Sequence, residues 1–170
     1  MKFISINGST CSGKSSVIKE VLKQRDHLFY LSYDAVKWSF SHYSPDTHFK
    51  DVHTVMLAMA EALCKMQYDV ISDSGLFKKW REELLNIPRS HGYDVVEINL
   101  ECDYELLAQR FDERVAAKLA NPEIRISNLS KNRFKELNDT FQKEKNTSAL
   151  TFRTDTQSLE EISESVLKLF

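Results

Sequence analysis

The residues best equipped for chemistry lie close together near the start of the chain, in Gly8-Ser9-Thr10-Cys11-Ser12-Gly13-Lys14-Ser15. This stretch fits G-x₄-G-K-[ST] at every fixed position. Each fixed residue type has a physical task. The glycines let the backbone turn with its N–H groups inward, forming an anion nest at the start of a helix. Lys14 can reach the β and γ phosphates of ATP, and the Ser15 hydroxyl can bind Mg²⁺. Ser9, Thr10, Cys11, Ser12 and Ser16 complete the cradle, with Cys11 at a variable position read as filling space. Of only four glycines in the chain, two are placed here, which a chance Gly/Ser turn does not account for.

Two acids follow. Asp34, in Leu31-Ser32-Tyr33-Asp34, comes directly after a short apolar run. A carboxylate there can take a proton from an acceptor hydroxyl while positioning it for in-line attack. The plainer reading is an N-cap for a helix over Ala35–Ser41. Asp73 closes Val70-Ile71-Ser72, a hydrophobic run ended by an acid, and is a candidate for holding Mg²⁺ or orienting the loop. Strands also end in Asp for turn reasons alone.

Arg110 and Arg114 stand four residues apart and share a helix face. One could neutralise charge on the transferred phosphoryl, and the other could lay its planar guanidinium on adenine. The plainer reading is a solvated face, with Asp112 in reach of Arg110 and Glu113 beside Arg114. Arg125, Lys131 and Arg133 are weaker candidates of the same kind. His42, His48 and His53 lack the spacing of a compact metal pair. There is no [NT]KxD base-recognition motif.

The elements that must position these groups alternate. Strands are predicted at 2–7, 27–32, 68–73, 94–100 and 149–154, and helices at 14–24, 51–66, 77–91, 104–119, about 130–145 and from 159. Ser39–Phe49, with Pro45, reads as an exposed loop or broken helix, and 110–133 as a mobile charged segment. Alternation of this kind predicts parallel βαβ units with helices on both faces. With 170 residues, no repeats and no linker, the expectation is one domain over 1–170.

Composition bounds the function. Basic and acidic residues number 23 and 25, a net charge of −2, which argues against long nucleic acid as the main partner. Three scattered cysteines predict free thiols in a reducing compartment. No stretch approaches a membrane span, and the expected location is the cytoplasm.

The segments INGSTCSGKSS, YLSYDAVKW, YDVISDSGL, GYDVVEINLECDYELLAQRFDER and FRTDTQSLEEISESVLKLF together resemble the small P-loop kinases of the zeta-toxin, chloramphenicol phosphotransferase and polynucleotide 5′-kinase-like group. The resemblance covers essentially the whole chain. It implies a P-loop NTPase α/β sandwich with a five-stranded parallel sheet in order 2-3-1-4-5 and a short lid over about 110–133. It also implies transfer of the ATP γ-phosphoryl to a hydroxyl of a small-molecule or nucleotide-type acceptor, with Asp34 activating that hydroxyl. Arg114 falls at the lid arginine and Arg110 at the adenine-stacking position, while Thr154 to Thr156 resembles the loop lining adenine. Lys37 stands where polynucleotide kinases carry an acceptor-gripping arginine, and lysine lacks that bidentate fork. The acceptor region is expected at about 35–66, with Trp38, Phe40, Tyr43 and Phe49 as aromatic lining. A polynucleotide 5′-hydroxyl kinase is the second enzyme reading, and an ATP-binding switch without an acceptor is the third. Nothing in the sequence names the acceptor or the oligomeric state.

Overall fold

The structure is a computed structural model describing residues 1–73, 77–124, 126 and 129–170. Its elements are β1 (Lys2–Gly8), α1 (Lys14–Gln24), β2 (Leu28–Leu31), α2 (Tyr33–Lys37), α3 (Pro45–Lys65), β3 (Asp69–Ser72), α4 (Lys78–Ser90), β4 (Asp94–Glu101), α5 (Tyr104–Ala120), α6 (Lys131–Glu144), β5 (Leu150–Arg153) and α7 (Leu159–Leu167). The five strands form one parallel sheet in order β2-β3-β1-β4-β5, the order implied by the family resemblance.

The central strands β1 and β3 are buried on both faces, which is why they read as continuous apolar runs. Side chains alternate across the pleat. Phe3 and Val70 join Val52, Met56, Leu84 and Leu85 in a core beneath α3 and α4. Ile4, Ile6, Ile71 and Ile98 face the other way, onto Val17, Ile18 and Val21 of α1 and Ile162 and Val166 of α7. A third cluster joins α5 to α6 through Leu107, Phe111 and Phe134, the two phenylalanine rings stacking at 4.5 Å. Because every strand runs the same way, all five carboxyl ends meet at one edge, where loops can assemble a site.

One expected boundary is corrected. α3 starts at Pro45, inside the stretch expected to be a loop or broken helix. Ser44 is its N-cap residue and Pro45 occupies the first turn, where a missing N–H does no harm. α2 is also shorter than expected, ending at Lys37. No helix among the described residues is long and apolar enough to cross a membrane.

α4 is anchored by a buried ion pair. Arg81, 2% exposed, approaches Glu97 of β4 at 3.0 Å, an alignment that falls short of a hydrogen bond, and donates to the Glu144 carbonyl at 2.9 Å. Glu97 also accepts from Asn146 at 3.0 Å. Removing Arg81 leaves the buried Glu97 carboxylate with Asn146 and the more distant Arg89, 3.6 Å away, and without its near cation in low dielectric. Arg81→Met is therefore expected to lose about 3 kcal/mol of stability in urea denaturation. An unchanged midpoint would show that apolar packing alone holds α4.

Candidate active site

The phosphate loop leaves β1 through a position with no room for a side chain. A Cβ on Gly8 would lie 2.7 Å from the Leu100 carbonyl oxygen and collide with the Ser12 side chain. Gly13 is the N-cap residue of α1 at φ 90, and Cys11 also adopts the left-handed region, at φ 67. Such angles strain a non-glycine residue and recur where a turn must aim its amides. Among the described residues, no hydrogen bond takes up the N–H of Gly13, Lys14 or Ser15, and α1 has no side-chain cap. The loop is thus a set of donors at the positive end of a helix, a fit for phosphate oxygens.

The Ser9 hydroxyl donates to Asn138 Oδ1 at 2.7 Å, tying the loop to α6. Ser9 and Ser12 are buried, whereas Thr10, Lys14, Ser15 and Ser16 line the cleft. The Lys14 ammonium donates to the Gly8 and Ser9 carbonyls at 2.9 and 2.8 Å.

Asp73 sits at the end of β3 facing this loop. It accepts a hydrogen bond from the Tyr30 hydroxyl at 2.6 Å and a longer one from the Tyr33 N–H at 3.4 Å. Tyr30 was not legible as a site residue, since a tyrosine in an apolar run reads as an ordinary strand former. The signal available was its placement two residues before Ser32, on the strand face shared with the site. Its hydroxyl also interacts with those of Ser15 and Ser32. Burial pushes the Asp73 carboxyl above the usual range, against the downward pull of Tyr30 and Lys14. Burial lowers Lys14, against the upward pull of Asp73 and Asp34. Burial raises the Tyr30 phenol, with Asp73 beside it, so it remains a donor.

Asp34 stands in the first turn of α2. The alternative reading of Asp34 as the helix cap is corrected: Ser32 is the N-cap, its hydroxyl accepting from the Ala35 N–H at 3.3 Å. The Asp34 side chain is 56% exposed and ion-paired at 2.6 Å to Lys37, whose own side chain is 7% exposed. Lys37 therefore reaches Asp34, and its ammonium sits 4.9 Å from the centre of the Trp38 ring.

On the opposite side, Arg110 donates to Thr154 Oγ1 at 3.1 Å and to the Thr154 carbonyl at 2.9 Å, bridging α5 to the end of β5. The pairing of Arg110 with Asp112 does not form; Asp112 binds Lys131 at 2.8 Å. Arg114, Lys118 and Arg133 line the cleft farther along. Thr154 lines it too, whereas Thr156 does not and Gln157 does. Arg125 lies outside the described residues, as does the 74–76 part of the third quoted segment.

Lys14, Ser15, Asp34, Lys37, Asp73, Arg110, Arg114 and Thr154 share one cleft of about 1440 Å³. Its far wall is aromatic. Tyr33, Trp38, Tyr43 and Phe49 are joined by Phe77 and Trp80, the last two from the α4 end and beyond the expected acceptor stretch. Phe40 instead packs against the core beneath α3. No three His, Cys, Asp or Glu among the described residues group to hold a metal alone. Ser15 and Asp73 would need oxygens from a bound phosphate to complete a Mg²⁺ shell, which suits an ion that keeps few protein ligands.

Sheet order, the phosphate loop and the helix α1 that follows it define the P-loop kinase fold. The AAA domain family model (AAA_33) matches residues 3–144, and the chain belongs to that family. No curated protein matches it in sequence. Among solved structures it is similar to a provisionally assigned kinase of Chloroflexus aurantiacus j-10-fl (TM-score 0.73, 16% identity, 99% of this chain and 98% of that one). It is also similar to the APS kinase CysC of Mycobacterium tuberculosis, solved with AMPPNP and APS (0.69, 19%, 99% and 96%). A gluconokinase of Sinorhizobium meliloti 1021 aligns at 0.65 and 19%, over 98% and 90%. At these identities the likeness is one of fold.

The two opposed shifts set a pH dependence. If Asp73 acts as an anion, its raised pKa means that function should fade as pH drops through that value. If Lys14 acts as a cation, its lowered pKa means that function should also fade on the alkaline side sooner than an ordinary lysine would dictate. Tyr30→Phe removes a hydrogen bond that favours the Asp73 carboxylate. The acid limb of Mg-ATP binding, followed by calorimetry across pH, should move to higher pH in that variant. An unmoved limb would exclude Tyr30 from control of Asp73.

Proposed function

We propose that the chain transfers the γ-phosphoryl of Mg-ATP to a hydroxyl of a small-molecule or nucleotide-type acceptor. The observation carrying this reading is that Asp34 opens onto the same cleft as the phosphate loop, on the side away from Arg110 and Thr154. A nucleotide switch has no use for a carboxylate there.

In this reading Gly8 to Ser16 cradle the triphosphate. Lys14 neutralises its β and γ oxygens. Ser15 and Asp73 would hold Mg²⁺, which would supply charge neutralisation to the triphosphate. Asp34 accepts the acceptor's proton as its oxygen bonds to the γ-phosphorus, while the bond from that phosphorus to the β–γ bridging oxygen breaks and ADP departs. Arg114 meets charge on the moving phosphoryl. Arg110 and Thr154 flank the base. Lys37, ion-paired to Asp34, holds the carboxylate rather than gripping the acceptor's phosphates.

Lys14→Ala should abolish measurable Mg-ATP binding by calorimetry while the far-ultraviolet circular dichroism stays that of the parent. Parent-like binding would sink the phosphate-loop assignment. Asp34→Asn keeps the size of the side chain and loses the proton acceptor. Mg-ATP should bind nearly as before, while phosphoryl transfer falls by roughly 10²–10⁴, the usual worth of a general base. Transfer at the parent rate would move the acceptor site elsewhere. Arg114→Ala should lower kcat far more than it weakens ATP, since its charge is needed most in the transition state. Equal kcat in the two proteins would return Arg114 to the solvated face.

A further inference from the structure

The phosphate loop contains a turn that its own residues do not favour. The Ser12 N–H donates to the Ser9 carbonyl at 3.2 Å, closing Ser9-Thr10-Cys11-Ser12, and Cys11 within it stands at φ 67. Only glycine enters that region freely, so a cysteine there is strained and depends on its surroundings to stay. Ser9 is where the turn is held. Its carbonyl accepts from the Lys14 ammonium at 2.8 Å, and its hydroxyl donates to Asn138 Oδ1 at 2.7 Å. The first of these bonds comes from a group that must also serve the nucleotide. The second comes from outside the loop altogether.

Asn138 is an unusual choice for its place in α6. The buried residues of that helix are Phe134, Asn138 and Phe141, four and three positions apart on one stripe. Phe134 stacks on Phe111 of α5 at 4.5 Å, and Phe141 is fully enclosed. An amide between two phenylalanines, itself 7% exposed, interrupts an apolar seam and costs stability unless its polar atoms are met. Its oxygen is met by the Ser9 hydroxyl, 129 positions away in the chain.

The helix that carries Asn138 is fixed at its carboxyl end. Arg81 donates to the Glu144 carbonyl at 2.9 Å, Asn99 donates to the Asn146 carbonyl at 2.8 Å, and Lys145 pairs with Glu101 at 2.6 Å. Asn138 therefore brings to the loop a hold that traces back to α4 and β4. Neither Ser9 nor Asn138 lines the cleft. Whatever they contribute to a bound nucleotide passes through the shape of the turn.

We propose that Asn138 is a positioning residue for the nucleotide: through the Ser9 hydroxyl it holds the strained turn of the phosphate loop in the form that receives a triphosphate. The inference rests on the phosphate-loop reading and adds to it a residue of α6. The cost of ordering the turn is met before the nucleotide arrives, which raises affinity.

Packing and positioning separate in a double-mutant cycle. Mg-AMPPNP binding is followed by calorimetry, beside thermal melting, in the parent, in Ser9→Ala, in Asn138→Leu and in the chain carrying both changes. Each single change leaves a buried polar partner unmet, so both single variants should melt below the parent. The double change removes the two partners together and should return the melt to near that of the parent. Affinity should not return with it. Each single variant should bind Mg-AMPPNP about tenfold more weakly than the parent. The double variant should also stay about tenfold weaker, because the same bond is lost in all three. A purely structural role would let affinity recover with the melt.

The proposal is overturned if the double variant or either single variant binds as the parent does, or if the two losses multiply to about a hundredfold. A parent that itself fails to bind Mg-AMPPNP would sink the phosphate-loop reading and this proposal together. Parent binding with unaffected variants would overturn this proposal alone.

Discussion

Two groups that resist burial, the Lys14 ammonium and the Asp73 carboxylate, are held near each other at the carboxyl edge of the sheet, and the site is organised around that tension. Each is displaced by desolvation away from its charged form, and each is pulled back by the other. Without the other, each would be shifted further from its charged form. The parallel sheet makes the meeting unavoidable, since β1 and β3 are neighbours and deliver their ends side by side. Tyr30, from β2 on the far side of β3, adds the hydrogen bond that keeps Asp73 available as an anion.

Much of this was legible because the chemistry is local in sequence. The loop from Gly8 to Ser15 needs its residues in fixed order, and a strand before it and an amphipathic helix after it complete the pattern. Asp34 and Asp73 were visible because acids that end apolar runs are conspicuous. Sheet order came through family resemblance, since strand spacing alone does not rank neighbours.

What escaped was decided across elements. The start of α3 was hidden because residues 46–50 carry little apolar periodicity, and Pro45 reads as a breaker before it reads as a first-turn residue. Tyr30 acts through a side chain 43 positions away. Phe77 and Trp80 join the aromatic wall only because α4 packs against α3, and His53, weighed for metal binding, proves to be a ring in that wall. Asp34 was read as a potential cap because capping depends on which residue stops being extended, and the backbone settles that at Ser32.

The ties that hold the phosphate loop's backbone run mainly toward β4, α5 and α6. Gly8 abuts Leu100 of β4, Ser9 is bonded to Asn138 of α6, and Arg110 of α5 lies 3.5 Å from the Cys11 carbonyl while gripping Thr154. The aromatic wall is built by other elements: α2, α3 and the start of α4. Inherited variation can therefore reshape the wall, exchanging one ring for another, without loosening the machinery that handles the nucleotide. A scaffold divided in this way can change its clientele while keeping its engine, which makes the α2–α4 half the place where descendants of such a chain would diverge first.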